Sequence, residues 1–130
     1  MSPPTDPTTP LSDADRVRAV ALDYIEGWYT ADAERMERSL HDDLVKRTPL
    51  GGDEAERAGL RAVSKERMVE LTSSGGGSDV TDPAIEVFVD DVSDDIACAR
   101  TVCVDFVDYM QLAKTPDGWK IANILFRNID

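Results

Sequence analysis

The chain has one histidine and two cysteines, and its bases are far fewer than its acids. A single His with no Cys/His cluster at ligand spacing excludes the usual zinc centres. Cys98 and Cys103 fall in one predicted strand. Their odd spacing sets them on opposite faces, and five residues of strand span about 16 Å. A disulfide needs Cα atoms within about 7 Å, so both are expected as reduced, buried small hydrophobes. No run approaches the ~20 apolar residues of a membrane helix. Met1 to Pro10 is rich in Pro, Thr and Ser and has neither the basic start nor the apolar stretch of a signal peptide. Residues 1–11 are expected to form a disordered tail and residues 12–130 a single domain, in a cytoplasmic setting. Gly75-Gly76-Gly77 is not followed by the Lys-Ser/Thr of a phosphate loop. Asp90-Asp91-Val92-Ser93-Asp94-Asp95 lacks the Gly and Glu that a calcium loop requires. No cofactor or metal is expected.

Lys and Arg together number 14 against 26 Asp and Glu, a net charge of −12. The acids are spread along the chain rather than gathered in a tail. Such a field repels nucleic-acid phosphates and anionic membranes. A solvated, soluble surface accounts for it, and adaptation to high salt is the sharper alternative.

Ser12 caps the first predicted helix, with Asp13 and Asp15 at its positive end. Val17, Val20, Ala21, Tyr24, Ile25 and Trp28 then recur at helical spacing. Gly27 marks a close backbone approach. A short second helix begins at Thr30 or Asp32, uses Met36 and Leu40 as contacts, and ends at His41-Asp42-Asp43. Leu44 to Arg47 reads as a short strand, Thr48 to Asp53 as a loop, and Leu60 to Val63 as a partner strand. Ser64 caps a third helix running from Lys65 to about Leu71, and Ser73 to Ser78 reads as a flexible connection. From Ile85 apolar and polar residues alternate through a strand to Val89, a long strand Ile96 to Phe106, a strand Asp108 to Lys114 and a strand Trp119 to Phe126. Pro116-Asp117-Gly118 makes the last hairpin turn. The whole is α+β: N-terminal helices over an antiparallel meander.

Both faces of the sheet carry apolar residues. The last strand has Trp119, Ile121 and Leu125 on one face and Ala122, Ile124 and Phe126 on the other. A sheet with one wet face alternates more cleanly. The helices cover one face, and a second copy of the chain is the expected cover for the other, a homodimer through the sheet face.

Three segments carry a family resemblance. They are Tyr24-Ile25-Glu26-Gly27-Trp28-Tyr29 with Asp32 after it, Leu40-His41-Asp42-Asp43-Leu44-Val45-Lys46-Arg47, and Asp105-Phe106-Val107-Asp108-Tyr109-Met110-Gln111-Leu112 running on through Gly118 to Asn123. Their ordered set resembles the nuclear transport factor 2-like superfamily (SnoaL-like, cystatin-like roll), and within it the bacterial and archaeal family labelled "putative lumazine-binding". The resemblance implies a cone-shaped curved sheet covered by helices, a pocket and dimerisation; it does not imply a reaction. The catalytic sets of the superfamily's isomerases, dehydratases and cyclases do not map onto this chain.

The candidate site residues follow from chemistry. His41 is the one residue of the chain whose side-chain type is suited to acid–base work at neutral pH, and it is either a pocket base or a cap on the preceding helix. Asp108 and Tyr109, with Asp105 and Phe106 beside them, could form an acid–base set of the kind in which an Asp base works beside a Tyr and a neutral Asp. They lie on opposite faces of a regular strand, so sharing a pocket requires a bulge. A solvated strand junction is the plainer role for the two acids. Arg47 and Arg100 would either neutralise an acid such as Asp105 or hold a ligand carboxylate. Tyr24, Trp28 and Phe106 would line a cavity or simply fill the core. The leading expectation is a small-molecule-binding domain with a hydrophobic pocket. The alternative is a proton-transfer enzyme (isomerase, dehydratase or cyclase-like) using His41 or an Asp as base. A protein-interaction module using the sheet face is a third.

Overall fold

In a computed structural model, residues 11–50 and 59–129 are described. The expected tail, apart from Leu11, and Gly51 to Asp53 of the expected loop lie outside them. Helix α1 (Asp13–Thr30) starts at Ser12, whose hydroxyl accepts from the Asp15 amide, and stops at Ala31 in the left-handed region. Its buried stripe is Val17, Ala21, Tyr24 and Ile25, the stripe its periodicity predicts. Helix α2 (Ala33–Ser39) starts at Asp32, which accepts from the Arg35 amide. It packs so closely on α1 that a Cβ on Gly27 would lie 3.1 Å from the Met36 nitrogen. Helix α3 (Lys65–Ser73) starts at Ser64, as predicted.

The strands are β1 (Leu40–Pro49), β2 (Leu60–Ser64), β3 (Glu86–Ser93), β4 (Ile96–Val102), β5 (Phe106–Thr115) and β6 (Gly118–Asn128). They form one sheet in the order β2-β1-β6-β5-β4-β3. Strands β3 to β6 are the predicted meander. β1 joins β6 in parallel and β2 pairs β1 antiparallel. The turn into β6 has Gly118 at φ +102°, and the Thr115 hydroxyl donates to the Gly118 carbonyl. The helices cover the inner face, α1 against β3, β4 and β6 and α3 against β1. None of the described helices is long and apolar enough to cross a membrane.

Five expectations are corrected. The second helix ends at Ser39 rather than at His41-Asp42-Asp43, and β1 begins directly at Leu40, where alternation turns Leu40, Leu44 and Lys46 inward. The predicted strand Ile96 to Phe106 stops at Val102, and Cys103-Val104-Asp105 turn the chain into β5. Cys98 and Cys103 therefore do not share a strand. Both are free thiols, but only Cys103 is buried, since alternation sends Cys98 outward with Ile96. Ser73 to Ser78 is no loose tether. Gly77 donates its amide to the Trp28 carbonyl at 3.0 Å and Gly76 to that of Leu71 at 2.9 Å. Finally, the two-sided last strand is mostly resolved by a bulge. Gln111 pairs with Asn123 but Leu112 with Ile121, leaving Ala122 extra. One inserted residue flips the register, so Trp119, Ile121 and Ile124 are all buried and only Leu125 of the apolar set is left exposed.

Candidate functional site

Strand β1 sets a lysine on the apolar side of the sheet. Leu44 and Lys46 are two residues apart and both buried, with Lys46 6% exposed and in register with Ile124. A charge there is tolerated only if it is paired and hydrogen-bonded. The Lys46 Nζ donates to the Tyr24 hydroxyl at 2.6 Å. Tyr24 donates onward to Asp108 Oδ1 at 3.2 Å, and Thr101 donates to Asp108 Oδ2 at 2.9 Å. Nζ to Asp108 Oδ1 is 3.7 Å. Among the described residues no buried side-chain polar atom is left without a partner.

Four rings surround the amine. The Phe126 centroid lies 4.3 Å from Nζ, with Tyr24 at 5.3 Å, Phe106 at 5.5 Å and Trp28 at 5.8 Å. A desolvated cation over a ring face gains up to about 2 kcal/mol. Burial opposes both charges of the pair, and each charge supports the other. Burial pushes Lys46 below its ordinary value, opposed by the Asp108 charge. Burial pushes Asp108 up, opposed by Lys46 and by the bonds from Thr101 and Tyr24. Burial, then the Asp108 charge, holds the Tyr24 hydroxyl protonated.

Above the amine is a cavity of about 260 Å³ between the concave sheet, α3 and the Gly76–Val80 segment. Trp28, Phe106, Phe126, Met68 and Leu71 give it an apolar wall, and Lys46 itself lines it. Gly76 and Gly77 hold Trp28 in place. A Cβ on Gly76 would lie 2.5 Å from the Trp28 carbonyl oxygen, and one on Gly77 2.7 Å from Trp28 Nε1. Asp79, Asp105 and Arg61 also line the space. Asp105 accepts a hydrogen bond from the Tyr29 hydroxyl, and the Tyr29 ring stacks on Phe106 at 5.8 Å. Burial pushes the neighbouring Cys103 thiol up to about 11. Depressions of about 360 and 480 Å³ on the outer sheet face have no buried polar side chain in their walls.

Of the predicted site residues, the structure gathers four. Trp28 and Phe106 line the cavity, and Tyr24 and Asp108 lie beneath its amine. Asp108 is fully buried, not at a solvated junction. The other four are elsewhere. His41 sits in a polar surface groove with Asp42, Lys65, Asp117 and Lys120, its Nδ1 accepting from the Asp43 amide at 3.0 Å. Tyr109 is 61% exposed on the outer face. The β5–β6 irregularity falls at Gln111/Leu112, too late to bring Tyr109 round to Asp108. Arg47 is exposed on that outer face, in register with Leu125. Arg100 is held by Asp90 at 3.2 Å and lies 4.0 Å from the Phe88 ring. Strand alternation accounts for each of these placements.

Sequence reasoning missed Lys46, the cation that does meet Asp108, as well as Thr101. The signal was present: a lysine two residues after Leu44 in a short strand lies on the strand's apolar side. Among the described residues no group of three or more His, Cys, Asp or Glu suits a metal ion. The cavity instead suits an apolar body that presents an acceptor atom to Nζ.

No curated protein matches the chain. Among solved structures, an NTF2-like protein of unknown function from Shewanella baltica OS155 superposes with a TM-score of 0.71 at 17% identity, covering 95% of this chain and 98% of that one. A ketosteroid isomerase-like protein from Erwinia carotovora atroseptica gives 0.65 at 19% identity, covering 92% and 98%. An NTF2-like protein with a cystatin-like fold from Novosphingobium aromaticivorans gives 0.63 at 15%, covering 91% and 82%. These likenesses establish the fold, a nuclear transport factor 2-like, cystatin-like α+β roll. The model of the family described as "Putative lumazine-binding" matches residues 12–127, and the chain belongs to that family.

Proposed function

We propose that the protein is a small-molecule-binding domain whose ligand occupies the cavity over Lys46. One observation carries the reading: a buried lysine amine, ringed by aromatic faces, lines a cavity large enough for a compact planar molecule. Asp108 already balances the amine's charge, and Asp79 and Asp105 line the same space. A ligand carboxylate would meet those acids, so a neutral carbonyl oxygen is the better acceptor for Nζ. The family's description names lumazine, a planar heterocycle bearing carbonyl oxygens, which agrees with such a ligand.

Native mass spectrometry of the gently purified protein tests this. The reading expects a reproducible bound mass, or uptake of lumazine or another planar aromatic carbonyl compound, reduced at least ~tenfold in affinity by Lys46→Met (about 1.4 kcal/mol). Bare protein that takes up none of these compounds overturns it.

A second reading, a proton-transfer enzyme, is favoured by the hydrogen-bonded chain from Lys46 through Tyr24 to Asp108, which can carry a proton between amine and carboxylate. In it Lys46, rather than His41, meets the substrate. As part of the same proposal, two chains pair through the outer sheet face, where Ile96, Tyr109 and Leu125 are 59%, 61% and 48% exposed. The unpaired thiols support a cytoplasmic setting.

A further inference from the structure

We propose that Lys46 captures an aldehyde or ketone in this cavity as an imine, with Tyr24 relaying protons and Asp108 serving as counter-ion. The inference rests on the cavity being the ligand site, and it goes beyond that reading by assigning a covalent step and a substrate class. Three arrangements carry it. Among the described residues the amine is the one nitrogen nucleophile in the wall of an apolar cavity, since the other nitrogen-bearing side chains described there are Trp28, Arg61 and Asn128. Its proton has a route out, through the Tyr24 hydroxyl at 2.6 Å and on to Asp108 Oδ1. The product's charge is provided for as well: the four rings and the carboxylate that face an ammonium would face an iminium equally.

The step balances. Lys46 passes a proton through Tyr24 to Asp108, leaving a neutral amine and a neutral acid. The nitrogen lone pair bonds to the carbonyl carbon, the C=O π pair moves to oxygen, and a proton moves from nitrogen to that oxygen to give a carbinolamine. The Asp108 proton returns through Tyr24 to the hydroxyl, the C–O bond breaks, and water leaves as the nitrogen lone pair closes C=N. One carbonyl compound is consumed and one water released. The iminium faces the Asp108 carboxylate, and no electron is gained or lost. Asp108 is fully buried behind the amine, so it acts through Tyr24 rather than on the ligand. The apolar walls favour a carbonyl carbon attached to an aromatic or aliphatic body.

The test is reductive trapping of the intact protein with cinnamaldehyde and sodium cyanoborohydride near neutral pH, followed by peptide mapping. The chain carries four lysines, so the wild type is its own control. Lys65, Lys114 and Lys120 are bound at the surface by Asp42, Asp13 and the Arg38 carbonyl. The proposal expects Lys46 to be labelled in preference to each of them by about tenfold or more, the advantage of holding the reactants together, with saturation as the aldehyde rises. Lys46→Arg should keep the charge and abolish that adduct. Binding of cinnamyl alcohol, which cannot condense, is followed in parallel by amide chemical shifts of Gly76, Gly77 and Phe126. Shifts there with even labelling, or with none at Lys46, overturn the imine and leave the binding site standing. Neither shifts nor labelling overturns both.

Discussion

Lys46 Nζ and Asp108 Oδ1 lie 3.7 Å apart, beyond hydrogen-bond reach, and the Tyr24 hydroxyl joins them by accepting from one and donating to the other. The pair is therefore a three-residue unit supplied by β1, α1 and β5, three separate parts of the chain. Removing one member strands another in the apolar interior.

Removing both ends of the unit should cost less than the two single losses added together. Lys46→Met and Asp108→Asn each leave an unbalanced buried partner and are expected to lose about 3 kcal/mol. The double variant should lose less than the sum, with a coupling energy of at least about 1 kcal/mol. Urea unfolding of the four proteins measures this, and additive losses would show that the two residues do not act as a unit.

The same pair sets a pH signature. Burial raises Asp108 above 3.8 in the folded state, so the folded protein binds more protons than the unfolded chain from pH 3.8 up to that raised value. Stability falls as pH rises through that window. Lys46 is lowered below 10.5, so the unfolded chain binds more protons between the lowered value and 10.5, and stability rises with pH there. Relative to Lys46→Met/Asp108→Asn, the wild type should be least stable at intermediate pH and gain toward both pH 3.8 and pH 10.5. Denaturant titrations across that range read it directly; a flat difference would mean that neither group is shifted.

The glycines behind Trp28 should be intolerant of a methyl group. Gly77→Ala places a Cβ against Trp28 Nε1 and the Tyr29 ring, and Gly76→Ala places one against the Trp28 carbonyl at φ +49°. Each is expected to cost about 1–3 kcal/mol by overpacking and to shift the Trp28 fluorescence. Gly118→Ala meets nothing within 4 Å, so only its positive φ is strained, at about 1 kcal/mol. Equal losses at all three would contradict the packing role given to Gly76 and Gly77.

Much of this was legible in the chain and some was not, for reasons that lie in particular residues. Ser12, Asp32 and Ser64 cap helices as local chemistry dictates, and the Val17-to-Trp28 periodicity names the buried face of α1. Local signals could not reveal that β1 pairs in parallel with β6, because strands at opposite ends of the chain meet only in the folded sheet. The Ala122 bulge was hidden for a related reason: it is defined by pairing with β5 rather than by the composition of β6. At the site, Tyr24, Trp28, Phe106 and Asp108 were read from their own chemistry. Lys46 was overlooked because a lysine ordinarily faces water; its placement beside Leu44 on one side of a strand was the available clue.

The outer sheet face makes its own prediction. Leu125→Glu puts a charge beside Val107 and Tyr109, and Tyr109→Glu puts one beside Val107 and Leu125, in neither case touching the cavity. Each should turn a sedimenting dimer into a monomer at micromolar concentration, with urea stability in the monomer changed by no more than about 0.5 kcal/mol. A wild type that already sediments as a monomer at that concentration would remove the proposed pairing.

The most direct test of the account is a crystal of the protein soaked in planar aromatic carbonyl compounds, lumazine and cinnamyl amide among them. The account predicts ligand density between Trp28, Phe106 and Phe126, with an oxygen about 3 Å from Lys46 Nζ. Ligands bound only on the outer sheet face, with the cavity over Lys46 empty, would contradict it.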